Sequence, residues 1–416
     1  MTESESHSLS PSFHPPLADV ALPGGFSAAG VACGIKAGGT SDLALLAAGS
    51  PVPAAVVTTT NQVYGAPIAW CRQVLPGGCG RVRAMVINSG CSNVCTGPAG
   101  LADAREMAAR VGAHLGCPAE SVLVASTGVI GRPLPMQAVR EGIDAASAAL
   151  APDGLAPAAR AILTTDTGIK LAELDTRAAD GSPVRLAGMA KGSGMIAPSM
   201  ATMIGVVLTD WAVTPAALGL AVRAAVANTF NAVTVDGDTS TSDIVAVLSS
   251  GAAGNEPLTA ASPQLPAFVE ALQGLCDSLA RQIATDGEGA TRTITIEVVG
   301  AANRADAAVA AKSVANSPLV KTAVHGADPN WGRVAMALGK SAALVRPETL
   351  SITIGPHAVF RQGVGTKFSP EQVSTYLREN REIHIACDLG IGSGAYRAYT
   401  CDLSREYIAI NADYTT

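Results

Sequence analysis

The sequence predicts a mixed α/β protein with a large apolar core. Apolar residues account for 48% of the 416 residues and charged residues for only 15%, a balance that excludes an intrinsically disordered chain. Short β-branched or apolar runs alternate with stretches of helical periodicity over most of the chain. Their order lacks the β-α-β regularity of a dinucleotide-binding fold, so we expect stacked layers of helix and sheet.

The first half of the chain predicts a leader followed by alternating strands and helices. Residues 1–24 are polar and rich in proline, which predicts a flexible leader. The helix predicted over 101–115 has acidic residues in its first turns and ends at Gly116-Cys117-Pro118. The same criteria predict strands at 54–60, 82–88, 122–125 and 184–187, and further helices at 137–150 and 157–163.

The second half repeats this alternation. A buried strand is predicted from Thr202 to Leu208, because its residues are β-branched or apolar. Apolar periodicity predicts helices at 215–228, 264–284, 306–315 and 334–338. Further strands are predicted at 232–235, 244–248, 293–299, 351–353, 384–387, 396–400 and 407–411.

Charge and hydropathy exclude several classes of function. The formal net charge is −6 and no basic run occurs, so the chain has no electrostatic footprint for nucleic acid. Residues 1–10 are polar and acidic, unlike a signal peptide. No apolar run reaches the roughly 18–20 residues of a membrane helix. We expect a cytoplasmic protein.

Cysteines and histidines give no metal signature. The nine cysteines contain no Cys-x-x-Cys pair, so we expect ordinary reduced thiols. No His-Glu-x-x-His occurs, and we expect no catalytic metal. The run Leu338-Gly-Lys-Ser resembles the end of a phosphate-binding loop, but position 334, which that loop needs as glycine, is Val334.

The most informative segment surrounds Thr202. A glycine-containing stretch, Lys191-Gly-Ser-Gly194, leads to the step Ala201-Thr202, and an apolar strand follows. Cleavage before Thr202 would leave a free α-amine beside a hydroxyl. Such an amine, with an ordinary pKa of about 7.7–8.0, can act as the base for its own hydroxyl nucleophile. Thr202 alone could equally be a plain strand residue, since threonine favours strands.

The chain resembles the ornithine acetyltransferases of arginine biosynthesis, also called glutamate N-acetyltransferases. The self-cleavage motif of that family matches residues 190–203, AKGSGMIAPSMATM. Further runs match in order, at 126–131 (STGVIG), 164–167 (TTDT), 286–289 (DGEG), 317–322 (SPLVKT), 328–333 (DPNWGR) and 401–404 (CDLS). Each run is weak by itself, whereas their joint order is specific.

The resemblance implies a fold and a set of chains. The expected fold is an αββα layered sandwich like that of N-terminal nucleophile hydrolases, with an additional α/β portion at the C-terminal end. Self-cleavage between Ala201 and Thr202 would give an α chain of residues 25–201 after the leader and a β chain of residues 202–416. Two copies of each would form a heterotetramer. The reaction needs no cofactor, although acetyl-CoA can serve some relatives as donor.

The resemblance also implies the site residues. Thr202 is the nucleophile, and Thr127 with Gly128 forms the oxyanion hole; read alone, those two residues could be a strand-ending turn. The implied substrate contacts are Thr165, Lys191, Thr202, Glu288, Asn411 and Thr416. Several of these residues also have a purely structural interpretation. Thr165 or Asp166 could cap a helix, Lys191 and Glu288 could be solvated loop residues, and the choice between Thr164 and Thr165 stays open.

Two other functions compete with this prediction, and three positions of the chain differ from the family pattern. A self-processing aminopeptidase or amidase would use the same nucleophile with water as acceptor. A non-enzymatic scaffold would not need Thr202, Thr127 and Glu288 together. Family members often have His, Asn and Asn where this chain has Ala197, Ser199 and Cys91. These departures bear on specificity and on the rate of self-cleavage.

Overall fold

The computed structural model describes Leu17, residues 20–197 and residues 203–413. In these residues the helices are α1 (Ala66–Val74), α2 (Gly97–Leu115), α3 (Met136–Ala148), α4 (Leu155–Ala161), α5 (Pro215–Asn228), α6 (Leu265–Thr285), α7 (Arg304–Ala315), α8 (Pro318–His325), α9 (Trp331–Gly339), α10 (Pro370–Glu379) and α11 (Arg405–Asp413). The strands are β1 (Phe26–Val31), β2 (Leu43–Thr58), β3 (Cys79–Cys91), β4 (Val122–Val129), β5 (Lys170–Arg177), β6 (Pro183–Lys191), β7 (Ile204–Thr209), β8 (Ile244–Ser249), β9 (Thr293–Ala301), β10 (Ser351–Ile354), β11 (His357–Arg361), β12 (Val364–Gly365), β13 (Glu382–Asp388) and β14 (Gly394–Cys401). The expectation of a mixed α/β fold is confirmed.

The larger sheet contains strands β1–β8. Its order is β4-β3-β2-β8-β7-β6-β5, with β1 paired to β2. The pairs β3/β4 and β7/β8 are parallel, and the other pairs are antiparallel. Strand β2 is long and irregular between Ala47 and Val52, and it pairs with β8 only through its last five residues. It therefore joins the strands of the first half of the chain to those around the Thr202 segment.

The central strands of this sheet are buried on both faces. Successive side chains of a strand point to opposite faces. On β7, Val206 and Leu208 pack with residues of β1–β4, whereas Val207 packs with α5, α6 and the second sheet. All six residues of β7 and of β8 are buried. Such uninterrupted apolar strands are typical of sheets covered on both sides.

The smaller sheet forms the C-terminal part. Its order is β12-β11-β10-β13-β9-β14, and helix α7 packs on β9 and β14. The buried face of α7 is made mainly of small side chains such as Ala307, Ala310 and Ala311, which allow close approach to the strands. Helix α6 contacts β5 and β6 of the larger sheet and β14 of the smaller one, so it joins the two sheets. This is the additional α/β portion expected after the layered core.

Two strand predictions are wrong. Residues 407–411 lie in helix α11, although Tyr407, Ile408 and Ile410 gave an apolar, β-branched pattern. Ile408 is 67% exposed, so its pattern marks no buried face. The helix begins where Ser404 Oγ accepts a hydrogen bond from the Glu406 N–H, a capping contact. Residues 232–235 form no strand beyond a single bridge between Val233 and Tyr399.

The ends of the chain bear on the remaining expectations. Most of the predicted leader lies outside the described residues. Val20 is buried, and the Gly24 carbonyl accepts a hydrogen bond from Ser250 Oγ at 2.5 Å, so packing begins before residue 25. All nine cysteines are free thiols, as expected. None of the helices in the described ranges is long and apolar enough to cross a membrane.

Candidate functional site

One narrow cavity gathers most of the predicted site residues. Its volume is about 70 Å³. Its lining comes from both halves of the sequence: Ser92, Thr127, Gly128, Ile130, Thr164, Thr165, Lys191, Gly194, Met195, Ser240, Thr241, Ser242, Glu288 and Asn411. Six of these residues were predicted as site residues from the sequence. Residues distant in sequence meet here partly because Thr59 Oγ1 donates to the Ser240 carbonyl and the Gly65 N–H donates to the Thr241 carbonyl.

Thr127 and Gly128 lie near the end of strand β4. Thr127 is 3% exposed and stands opposite Ser89 in the parallel pair β3/β4. Gly128 has a φ of +124°, and a Cβ at this position would lie 2.4 Å from the Gly90 carbonyl carbon. Only glycine fits such a backbone and such a close approach. A hydroxyl and a backbone N–H at the cavity wall are suitable donors for an oxyanion.

Lys191, the last residue of β6, is buried rather than solvated. Its side chain is 2% exposed, and Nζ donates to Thr164 Oγ1 at 2.6 Å. Nζ also lies 3.5 Å from Oδ2 of Asp166, whose other oxygen is 2.7 Å from Lys170 Nζ. Burial by itself would raise the pKa of Asp166, but the ammonium groups of Lys191 and Lys170 outweigh burial and hold that pKa well below its usual range.

The Thr164–Thr167 run is a loop after α4, not a helix cap. Thr165 Oγ1 is 2.7 Å from Ser193 Oγ, and Thr164 accepts the bond from Lys191. Both threonines line the cavity. The hydroxyl of Thr167 and its N–H bind the carboxylate of Asp286, which precedes Glu288 by two residues. This contact ties the two loops together.

Glu288 is held beside Gly194. It is 7% exposed, its N–H donates to the Ser193 carbonyl at 2.9 Å, and Oε2 accepts from Asn411 Nδ2 at 2.7 Å. A Cβ on Gly194 would lie 2.4 Å from the Glu288 carboxylate. The solvated-loop interpretation of Glu288 is therefore wrong. The carboxylate lies at the cavity, where it can pair with a cationic amine.

Sequence reasoning missed two aspartates. Asp236 accepts hydrogen bonds from the N–H groups of Met195 at 2.6 Å and Ile196 at 2.9 Å, and fixes the backbone of the glycine-rich loop. Asp243 accepts from the Met203 N–H at 2.9 Å and is fully buried. The signal was the polar run 236–243, DGDTSTSD, between two apolar segments.

Three predicted residues, Ala201, Thr202 and Thr416, lie outside the described ranges. Of the positions that depart from the family pattern, Ala197 is 5% exposed and Cys91 is buried, its Sγ donating to the Arg132 carbonyl; Ser199 lies outside the described residues. Within the ranges described, no three His, Cys, Asp or Glu side chains cluster as metal ligands.

Comparisons with known proteins show which family the chain resembles. The model of the ArgJ family matches residues 27–416. The arginine biosynthesis bifunctional protein ArgJ of Symbiobacterium thermophilum is 47% identical over 95% of this chain and 98% of its own length, and that of Deinococcus radiodurans is 45% identical over 96% and 99%.

Two solved structures are also similar. The arginine biosynthesis bifunctional protein of Bacillus halodurans is 47% identical with a TM-score of 0.48, covering 49% of this chain and 96% of that one. The ornithine acetyltransferase of Mycobacterium tuberculosis, solved with ornithine, is 44% identical with a TM-score of 0.39, covering 44% and 95%. From the family match and the near full-length identities, the chain belongs to the ArgJ family of arginine biosynthesis.

Proposed function

We propose that this chain transfers the acetyl group of N-acetylornithine to glutamate through an acetyl ester on Thr202. The observation that carries the proposal is the joint lining of one cavity by Thr127 and Gly128, by the Lys191 ammonium and by the Glu288 carboxylate. The first pair supplies donors for a tetrahedral oxyanion. The second pair supplies charges opposite to those of an amino acid.

The reaction proceeds in two halves. The Thr202 hydroxyl attacks the acetyl carbonyl, its own α-amine takes the proton, and ornithine leaves. Glutamate then binds in the same cavity and its amine takes the acetyl group, giving N-acetylglutamate. A bound glutamate gains a large effective molarity over loosely placed water. Transfer of the acetyl group to glutamate is therefore favoured over hydrolysis. For this reason we prefer acetyl transfer to the aminopeptidase or amidase alternative.

The proposal includes the processing and assembly of the chain. Self-cleavage at Ala201–Thr202 gives the free α-amine, and the fragments stay together, two of each in a heterotetramer. The relatives are named bifunctional, which favours a second reaction in this chain as well. We propose that acetyl-CoA donates the acetyl group to glutamate in that second reaction. No cofactor enters either reaction, and a cytoplasmic location stays a prediction.

The test is an assay of the purified protein. With N-acetylornithine and glutamate, we expect ornithine and N-acetylglutamate in equal amounts and parallel double-reciprocal plots. A parallel assay with acetyl-CoA and glutamate measures the second reaction. Release of acetate at one rate with and without glutamate would show a hydrolase instead.

A further inference from the structure

The lining of the cavity is polar except at two side chains. Among the described residues that line it, only Ile130 and Met195 have side chains that are entirely apolar. The other side chains carry hydroxyls, charges or an amide, and the two glycines have no side chain. Charged and hydroxyl groups suit the amino-acid parts of the donor and the acceptor. The acyl chain is uncharged, so it is the part of the donor that gains most from contact with an apolar wall.

Ile130 lies close to the oxyanion donors. It follows Gly128 by two residues, so the Cα atoms of the two residues are at most about 7 Å apart. In the proposed reaction the acyl carbonyl oxygen binds at Thr127 and Gly128. The first carbon of the acyl chain is bonded to the same carbonyl carbon and lies about 2.4 Å from that oxygen. The acyl chain therefore begins within reach of the Ile130 side chain.

Hydrogen bonds fix the backbone on both sides of Ile130. The Val129 carbonyl accepts from the Ser92 N–H at 3.0 Å and from Ser92 Oγ at 2.8 Å. The Gly131 N–H donates to the Val94 carbonyl at 3.0 Å. The side chain of a β-branched residue is also restricted in χ1. Ile130 is therefore a rigid part of the cavity wall.

The size of the cavity matches a short acyl group. Its volume is about 70 Å³, whereas an apolar cavity of roughly 150 Å³ accepts benzene, with its six carbon atoms. Asn411 is exposed, so the cavity reaches solvent at that residue and the amino-acid part of a substrate can extend outwards. Met195, the other apolar side chain, is unbranched and adapts its shape easily. The rigid Ile130 therefore sets the space for the acyl chain.

We propose that Ile130 restricts the transferred acyl group to acetyl, an inference that rests on the proposed acetyl transfer. A longer acyl chain would have to displace the Ile130 side chain. One methylene in an apolar pocket changes kcat/KM by about 10- to 200-fold. The parent should therefore use N-propionylornithine at least about 10-fold less efficiently than N-acetylornithine, and N-butyrylornithine less efficiently still.

The experiment measures kcat/KM of the purified protein with these three donors and glutamate as acceptor. Ile130→Ala removes three carbons of the side chain, and we expect the ratio of kcat/KM for N-butyrylornithine to that for N-acetylornithine to rise at least about 10-fold. Ile130→Val removes one carbon and should raise the ratio for N-propionylornithine by a smaller factor. Ile130 is only half-buried, so these truncations should leave the fold intact. Transfer of acetyl by the same variants checks this directly.

Val129→Ala is the matched control. Val129 is the neighbouring β-branched residue and is 9% exposed, but it does not line the cavity. This variant should keep the parental ratios between donors. Unchanged ratios in both Ile130→Ala and Ile130→Val would overturn the role of Ile130 while acetyl transfer stands, and so would an equal rise in Val129→Ala. A parent protein that does not transfer acetyl to glutamate would overturn the proposed function instead.

Discussion

Lys191 Nζ lies 3.5 Å from Oδ2 of Asp166, and the side chains of both residues are at most 2% exposed. Asp166 also binds Lys170, which in turn pairs with the partly buried Asp286 at 2.5 Å, so the two positive and two negative charges balance. An ammonium group has three donors. Thr164 Oγ1 accepts from one of those of Lys191, Asp166 pairs with its charge, and Lys191 also lines the cavity.

Replacing Lys191 by methionine tests its role toward substrate. Lys191→Met should lower kcat/KM for acetyl transfer to glutamate about 10- to 100-fold, since a hydrogen bond to a charged group contributes about 1.5–3 kcal/mol. Lys170→Met is the control, because Lys170 also pairs with Asp166 but does not line the cavity. Equal losses in both variants would show that Lys191 acts only through the ion-pair network.

The oxyanion role of Thr127 predicts a loss in turnover. Thr127→Ala should lower kcat about 10²–10³-fold, the usual cost of removing one oxyanion donor, with little change in the binding of N-acetylornithine. Ser126→Ala is the matched control, because that neighbouring hydroxyl donates to Asn88 Oδ1 at 2.6 Å, away from the cavity. Steady-state kinetics should show this loss of kcat in Thr127→Ala but not in Ser126→Ala. Turnover of Thr127→Ala within a few-fold of the parent would contradict the role.

Asn411 on α11 should contribute to acceptor binding. Asn411→Ala removes the amide that donates to Glu288, and we expect the KM for glutamate to rise about 10-fold. Asn380→Ala is the control, because Asn380 Nδ2 binds the Tyr376 carbonyl just as Asn411 Nδ2 binds that of Tyr407, but on helix α10. A similar KM for glutamate in Asn411→Ala and Asn380→Ala would contradict a role of Asn411 in acceptor binding.

The lowered pKa of Asp166 predicts how its contribution depends on pH. The folded pKa lies below the unfolded value of about 3.9, so the stability from its ion pairs is complete above that value and is lost as pH falls through the folded pKa. At pH 7, Asp166→Asn should lose about 3–5 kcal/mol of unfolding free energy, because it takes the charge partner from the buried Lys191 and one of the two carboxylate partners from Lys170. Urea unfolding should show that the difference in unfolding free energy between the parent and Asp166→Asn becomes smaller below about pH 4. A gap that does not narrow would contradict the assignment.

The sequence predicted the parts of this fold that local pattern controls. The predicted helix at 264–284 and strand at 244–248 agree with α6 and β8 to within about two residues. The strand predicted at 407–411 failed because the apolar pattern of α11 faces solvent, where periodicity carries no information about burial. The solvated-lysine alternative for Lys191 is likewise wrong, because the side chain is buried. No local pattern could show that a distant loop, around Asp166, would neutralise it.

Asp243 marks the limit of sequence reasoning at the site. Forty residues separate it from Met203, and only the pairing of β7 with β8 brings them together. The motif at 190–203 predicts Thr202 as nucleophile by family resemblance, whereas the Asp243 carboxylate that accepts the Met203 N–H became visible only from the strand register. Residues contributed by other strands are hidden from a linear pattern for this reason.

The most direct test of the central claim is the intact mass of the purified full-length protein under denaturing conditions. The account predicts two chains that separate after Ala201, the second beginning with Thr202, whereas Thr202→Ala gives one uncut chain. A catalytically active protein that remains a single chain of 416 residues would contradict it.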